Sequence, residues 1–265
     1  MAAVTERRIA LITGATAGIG AAFARELAAE GYDLVLVARD EARLGAMAAE
    51  LSSVDVAVLP ADLATPEGCD TVAARLTDPA RPVDLLVNNA GMSLNRSFLR
   101  STVELEEALL RLNVNAVMRL TLAALPVMTE RGRGDIVNVS SVSGFAALMP
   151  GSTYPASKAW VTNFSVSQGQ LVRGYGVRVM ALCPGYTRTE FHDRAGIDVS
   201  KTPSWMWLDA GAVVRAGLKD LRKGKLVSVP DWKYKLATFG MRHAPQGLVH
   251  RVSRRTRSRI GRETH

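Results

Sequence analysis

Seven short runs of Val, Ile, Leu and Ala recur along the chain, at Ile9–Ile12, Leu34–Ala38, Val56–Leu59, Leu85–Val87, Ile136–Val139, Arg178–Leu182 and Leu226–Val229. They lack polar alternation, so each suits a strand buried on both faces, as strands are in a parallel sheet. Between them lie segments of helical length and spacing: Ala21–Ala29, Arg43–Leu51, Leu105–Met128, Ala156–Arg173 and Ala210–Arg222. Gly31 and Gly224 follow two of these and read as helix stops. Parallel strands need long crossovers, and helices supply them. The pattern therefore predicts an α/β fold: a doubly wound, Rossmann-type parallel sheet of about seven strands with helices on both faces. The chain of 265 residues suits one such domain with a full core. No linker or solenoid period divides it.

The first strand runs into Thr13-Gly14-Ala15-Thr16-Ala17-Gly18-Ile19-Gly20, followed by a helical segment. Glycines at a strand-to-helix turn let the backbone approach a pyrophosphate, which the helix N-terminus then stabilises. The spacing is Gly-x-x-x-Gly-x-Gly and differs from the commoner Gly-x-Gly-x-x-Gly.

Further motifs follow in order: Asp62-Leu63 at the end of the third strand, Asn88-Asn89-Ala90-Gly91 after the fourth, and Asn113 on a long helix thirteen residues before Pro126. Ser141 closes the fifth strand, Tyr154-Pro155-Ala156-Ser157-Lys158 opens the next helix, and Pro184-Gly185-Tyr186-Thr187-Arg188-Thr189 follows the sixth strand. Over residues 8 to 230 this ordered set resembles the short-chain dehydrogenases/reductases of the single-domain type. The resemblance implies a nicotinamide dinucleotide held by Gly14, Thr16, Gly18, Ile19 and Gly20 at the pyrophosphate, by Asp62 and Leu63 at adenine, and by Asn89, Ala90 and Gly91 at its ribose. Tyr154, Lys158, Pro184, Gly185, Thr187 and Thr189 would complete the nicotinamide end. It also implies Asn113, Ser141, Tyr154 and Lys158 as the reacting set, and a homodimer or homotetramer built on the helices carrying Asn113 and Tyr154.

The second strand ends in Arg39-Asp40. An acid at this place would accept bonds from the ribose hydroxyls of NAD, whereas a guanidinium forms a fork to the 2′-phosphate of NADP. Arg39 favours NADP, with NAD the alternative that Asp40 leaves open. Tyr154 and Lys158 stand four apart and share a helix face. A phenol titrating near 10 is a poor acid at neutral pH, and an ammonium beside it brings it toward working range. Ser141 would polarise the substrate carbonyl, and Asn113, as in the family, would hold a water that links Lys158 to solvent. Ser140 and Ser143 compete with Ser141, which alone has the family's interval to the tyrosine. Pro155 is compatible with the first turn of a helix capped by Ser152 or Thr153.

These residues predict an oxidoreductase that interconverts a carbonyl and an alcohol. A catalytically idle NADP sensor, or a membrane-associated scaffold, is the rival reading. The segment from Tyr186 to Leu208 holds Phe191, Ile197, Trp205, Met206, Trp207 and Leu208, which suit either a bulky apolar substrate or a subunit contact. His192 would touch substrate or remain solvated. No metal-ligand spacing occurs. Cys69 and Cys183 form no disulfide framework and suit a reducing cytoplasm, with Cys183 a buried small hydrophobe.

The formal charge of +8 is unevenly spread. Residues 241–265 hold seven arginines against one acid, Glu263, a net of +6; the first 240 hold 26 basic and 24 acidic residues, a net of +2. Residues 1–230 are expected to form the nucleotide-binding catalytic domain and 231–265 a basic, partly helical extension. Within it, Gln246–Arg262 reads either as a membrane-surface helix or as a solvated tail. The arginines lack interleaved aromatics, so nucleic acid is not expected. No run of about 18 uncharged apolar residues occurs, and Met1–Arg8 lacks the apolar core of a signal peptide.

Overall fold

The computed structural model describes residues 7–146, 153–191, 195–196, 200 and 202–243. Seven parallel strands form one sheet in the order β3-β2-β1-β4-β5-β6-β7: β1 Ile9–Thr13, β2 Asp33–Ala38, β3 Val56–Pro60, β4 Leu85–Asn88, β5 Gly134–Val139, β6 Val177–Leu182 and β7 Val227–Ser228. Every predicted strand is present, with ends displaced by a residue or two. Side chains of β1 alternate between two cores. Ala10 and Ile12 join the layer of helices α1 (Gly18–Ala29), α2 (Glu41–Glu50) and α7 (Ala210–Arg222). Ile9 and Leu11 join the opposite layer, with α3 (Pro66–Leu76) and α5 (Ala116–Glu130). Both faces of β1 are dry, which explains its unbroken apolar run.

Two helical expectations change. The single helix predicted over Leu105–Met128 is α4 (Val103–Leu110), a π turn (Arg111–Asn115) and α5. The π turn places Asn113 inward, fully buried, where its amide donates to the Met92 carbonyl and accepts from the Met92 amide, both at 2.9 Å. Across α4 and α5, Val103–Glu130 is long and apolar enough to cross a membrane by composition (mean hydropathy 1.3). In this fold, however, Leu120, Ala124 and Met128 are spent on the sheet.

α3 was not expected. Its start is nevertheless well marked: Thr65 caps it by accepting from the Gly68 amide at 3.1 Å, and Pro66 occupies the first turn. Helix α6 (Thr153–Leu171) begins at Thr153, so Pro155 falls in its first turn, where its missing amide costs nothing. Ser152, the other expected cap, lies outside the described residues.

Helix α8 (Trp232–His243) packs onto the body through Tyr234, which shares a cluster with Ala181, Cys183 and Val229. The segment predicted as an extension thus starts with a docked helix. Gln246–Arg262, the stretch read as a membrane-surface helix or a solvated tail, lies outside the described residues.

Candidate active site

The glycine turn, Arg39, Asp62-Leu63, Asn89-Ala90-Gly91, Ser141 and Pro184-Gly185 follow the carboxyl ends of the strands, while Asn113, Tyr154 and Lys158 lie on the π turn and α6. Successive strands are added outward on one side of β1 as far as β3 and then on its other side from β4 onward, and ligands bind at such a switch point. After β1, Gly14 and Gly18 adopt φ of 65° and 55°, a left-handed backbone that costs glycine little. Gly20 is excluded from growth differently: a Cβ there would run into the Gly14 carbonyl. Ala17 precedes α1 and offers no side-chain cap, so the first amides of α1 are left to an anion. Ile19, in that first turn, packs its side chain against the core.

Thr13 organises the turn. Its hydroxyl donates to the Val87 carbonyl at 3.2 Å and accepts from the amides of Asn89 and Ala90 at 2.9 and 3.0 Å. The Asn89 amide returns the tie, donating to the carbonyls of Thr13 and Gly14 at 2.9 and 3.2 Å. The loop after β4 is thereby locked to the glycine turn. Asp62 and Leu63 lie just beyond β3, not on it. Asp62 accepts from the Ala64 amide at 3.0 Å, and Leu63 is buried.

At the end of β2, Arg39 is exposed and has no ion-pair partner among the described residues. Asp40 caps α2, one of its carboxylate oxygens accepting from the Arg43 amide at 3.0 Å. Arg43, which sequence reasoning passed over, reaches the Thr16 carbonyl at 3.1 Å and Glu190 at 3.0 Å. It ties the segment after β6 to the glycine turn.

Lys158 is 5% exposed, and its ammonium donates to the Val139 carbonyl at 2.9 Å. Burial depresses its pKa from 10.5 to about 8, with Cys183 pulling weakly the other way. The ammonium lies 5.7 Å from the centre of the Tyr154 ring. A Cβ on Gly91 would lie 3.2 Å from Asn113 Oδ1 and 3.5 Å from Lys158 Nζ, which brings these two groups to one point. Ser157, also passed over, connects them to the tyrosine. It donates to the Tyr154 carbonyl at 2.7 Å and accepts from Asn113 at 3.3 Å.

The Asn113 side chain is committed to Met92 and Ser157.

The three serines separate cleanly. Ser140 is buried, donating to the Lys158 carbonyl at 2.7 Å with Thr162 also at 2.7 Å, a packing role. Ser141 lies two residues past β5 and caps a 3₁₀ turn. Its oxygen accepts from the Ser143 amide and hydroxyl at 3.1 and 3.0 Å. Both bonds use lone pairs, so the hydroxyl proton is the donor that a substrate carbonyl needs.

The loop after β6 is built from beneath. Pro184 accepts from the Val142 amide at 3.1 Å, and Thr187 is buried with its hydroxyl on the Gly185 carbonyl at 3.1 Å. Gly185 lies flat against the Tyr234 ring, leaving no room for a side chain. Tyr234 accepts from the Tyr186 amide at 3.0 Å and donates to the Met206 carbonyl at 2.8 Å. Thr189 packs on Gly18, closing the loop over the glycine turn. Of the apolar set in this segment, Phe191 stands 5.9 Å from the Tyr154 ring and Trp207 packs 5.7 Å from Tyr186, while Trp205 is turned to solvent. His192 and Ile197 lie outside the described residues.

The family model described as short chain dehydrogenase matches residues 8–199. A short-chain dehydrogenase from Sphingobium yanoikuyae in complex with NADPH is 40% identical, covers 92% of this chain and 95% of its own, and superposes with a TM-score of 0.83. The bulky-bulky ketone specific alcohol dehydrogenase from Comamonas testosteroni is 30% identical, covers 98% and 97%, and gives 0.77. The NADP-dependent 3-hydroxy acid dehydrogenase of Salmonella typhi is 35% identical over 69% of this chain and 74% of its own.

Proposed function

The chain belongs to the short-chain dehydrogenase family, and on that premise we propose that it is an NADP-preferring oxidoreductase interconverting a bulky, apolar ketone and its secondary alcohol. One observation carries the reading. The Lys158 ammonium meets the Tyr154 ring and, at Gly91, Asn113, while Ser141 keeps a hydroxyl proton to donate and the helix after the glycine turn offers its first amides without a side-chain cap.

The residues present fit the dinucleotide. The pyrophosphate would lie on Gly14–Gly20, adenine beside Asp62 and Leu63, and its ribose beside Asn89, Ala90 and Gly91. Arg39 would take the 2′-phosphate, with Asp40 capping α2. The nicotinamide end would be held by Tyr154, Lys158 and the loop of Pro184, Gly185, Thr187 and Thr189. When bound, the nicotinamide supplies or accepts the hydride.

The chain does the rest. Ser141 donates to the substrate oxygen and polarises it. Tyr154 gives its phenolic proton to the same oxygen as alkoxide character develops, and recovers it by way of Lys158. In the oxidising direction Tyr154 accepts that proton. The charge on Lys158 stabilises phenolate, so Tyr154 can release its proton at neutral pH. Phe191 beside the Tyr154 ring, with Tyr186 and Trp207 behind it, makes an apolar wall on the substrate side.

An idle NADP sensor would have no use for the proton-handling pair. The same reading places the enzyme in the cytoplasm as a homo-oligomer. Exposed Met118 and Leu122 on α5 and Leu171 on α6 support that assembly.

Two outcomes test the proposal. Arg39→Ala should weaken NADPH binding by about 1.5–3 kcal/mol, the worth of a charge-assisted bond, and leave NADH nearly unchanged in a fluorescence titration. Equal loss for both cofactors would assign Arg39 to the fold. In a series of aryl ketones, kcat/KM for NADPH oxidation should rise as the second substituent grows from methyl to phenyl. A steady fall across the series would place the apolar wall outside the substrate path.

A further inference from the structure

Helix α8 is amphipathic in an unusual sense: its apolar stripe faces outward. Trp232, Leu236 and Phe239 are exposed by 68%, 66% and 61%, although they repeat at the four- and three-residue spacing that aligns side chains on one helix face. Tyr234 and Thr238, on the opposite face, are buried in the body. Lys233 flanks the stripe on one side and Lys235 on the other, each one position from its centre line at about 100° per residue. Trp205, itself 59% exposed, extends the surface from the segment after β6. Lys233 holds it there, donating to the Trp205 carbonyl at 3.2 Å with its ammonium 5.8 Å from the indole centre.

We propose that this face, Trp232, Leu236, Phe239 and Trp205 with the rim of Lys233 and Lys235, docks on the surface of an anionic lipid bilayer. An apolar stripe rich in tryptophan between lysines is the pattern of a helix lying in the headgroup region, with indoles at the boundary and ammonium groups reaching outward. The chain continues from α8 into the stretch of net charge +6, so the surrounding charge has the sign that anionic headgroups attract. A second copy of the chain is a poorer occupant. A two-fold contact would set each basic rim against its equal, and the acids at hand are engaged: Asp220 by Lys225 and Ser228, Asp231 by the Lys233 amide. Tyr234 couples the docked face to the loop of Gly185 and Tyr186, so attachment would hold the segment carrying Phe191 next to the bilayer, where an apolar ketone partitions. The surface is separate from the reaction and would stand if the substrate were otherwise.

The test uses the full chain and vesicles of phosphatidylcholine, alone or mixed with phosphatidylserine, with brominated acyl chains to quench tryptophan. Wild-type protein should sediment with the mixed vesicles, release them at high salt, ignore phosphatidylcholine alone, and lose tryptophan emission on binding. Trp232→Phe should remove the larger part of that quench. The double variant Leu236→Glu/Phe239→Glu keeps every tail arginine and should lower vesicle binding about tenfold or more, since each side chain forfeits its apolar burial. The single variant Leu236→Glu, which leaves Phe239 in place beside the cavity it lines with Phe145, should weaken binding in the same direction while keeping the melting temperature and the turnover of a water-soluble ketone. Lys235→Gln, which keeps the stripe and the hold of Lys233 on Trp205, should weaken binding and reduce its salt dependence. Undiminished binding by the double glutamate variant would assign attachment to the tail and overturn the proposal. So would a wild-type protein that ignores the mixed vesicles. A smaller particle mass for the double glutamate variant in vesicle-free light scattering would make this face a contact between copies, and would equally overturn it.

Discussion

Tyr154→Phe should bind NADPH as the wild type does and reduce ketones at least about a hundredfold more slowly, the scale of a lost acid–base group. The substitution removes one oxygen from a ring whose setting is otherwise kept: Phe191 still packs at 5.9 Å and Lys158 still stands beneath it. Ser157 bonds the Tyr154 carbonyl, and the substitution keeps that tie at the start of α6. The loss should therefore appear in kcat, with KM little changed. Steady-state kinetics on a ketone that the wild type turns over decides it. Activity within threefold of wild type would remove Tyr154 from the reaction.

Lys158→Met should separate activity from stability. Turnover should again fall by about two orders of magnitude or more, because the phenol loses the charge that lets it ionise, and NADPH should bind more weakly. Stability at neutral pH should nonetheless hold. Depressing an ammonium from 10.5 to about 8 costs the folded state about 3 kcal/mol at pH 7. Methionine of similar length removes that cost and forfeits one bond to the Val139 carbonyl, worth about 1–3 kcal/mol when left unmade. The pH dependence has a definite sign. Between about 8 and 10.5 the unfolded lysine holds a proton that the folded one has released, so wild-type stability should rise with pH across that window. The methionine variant should lack this rise. Ketone reduction by the wild type should move oppositely, falling above about pH 8 as Lys158 loses its charge. Thermal melts and pH–rate profiles of both proteins give the answer. A methionine variant that melts much lower at pH 7 would make Lys158 a structural anchor first.

The inner sheet was readable from sequence because strands buried on both faces leave a signal that needs no partner to be seen: β1 is a plain apolar run in any context. The edge strand β3 has the same kind of run, yet it is largely exposed, so burial on both faces does not hold there. Features set by tertiary bonding were not readable. Asn113 lies in a π turn bonded to Met92, a residue 21 positions away, and nothing near Asn113 announces it. Asp40 looked like a ribose ligand until its bond to the Arg43 amide showed a helix cap, although an aspartate directly before Glu41-Ala42-Arg43-Leu44 is itself a cap signal. Helix α3 was missed for lack of apolar length, since only Cys69, Val72 and Leu76 point inward, yet Thr65-Pro66-Glu67 marks its start. Motif order named the candidate site residues, and the structure brings Asn113 and Lys158 together at Gly91 with the Lys158 ammonium near the Tyr154 ring. The residues that brace them were invisible because their bonds span the chain: Thr13 to Val87, Arg43 to Glu190, Tyr234 to Tyr186 and Met206. Ser140 and Ser141 are neighbours of the same type, and only the burial of one against Lys158 and Thr162 tells them apart.

Hydride transfer is the central claim, and isotope transfer reads it without reference to any other property. NADPH carrying deuterium at both C4 positions is incubated with the purified full chain and an aryl ketone, and the alcohol is analysed by mass spectrometry. The account predicts one deuterium on the carbinol carbon, a single enantiomer of product, and loss of both in Tyr154→Phe over the same interval. Full binding of NADPH with no label passed to any ketone, aldehyde or keto acid would contradict it and leave a nucleotide-binding protein without this chemistry.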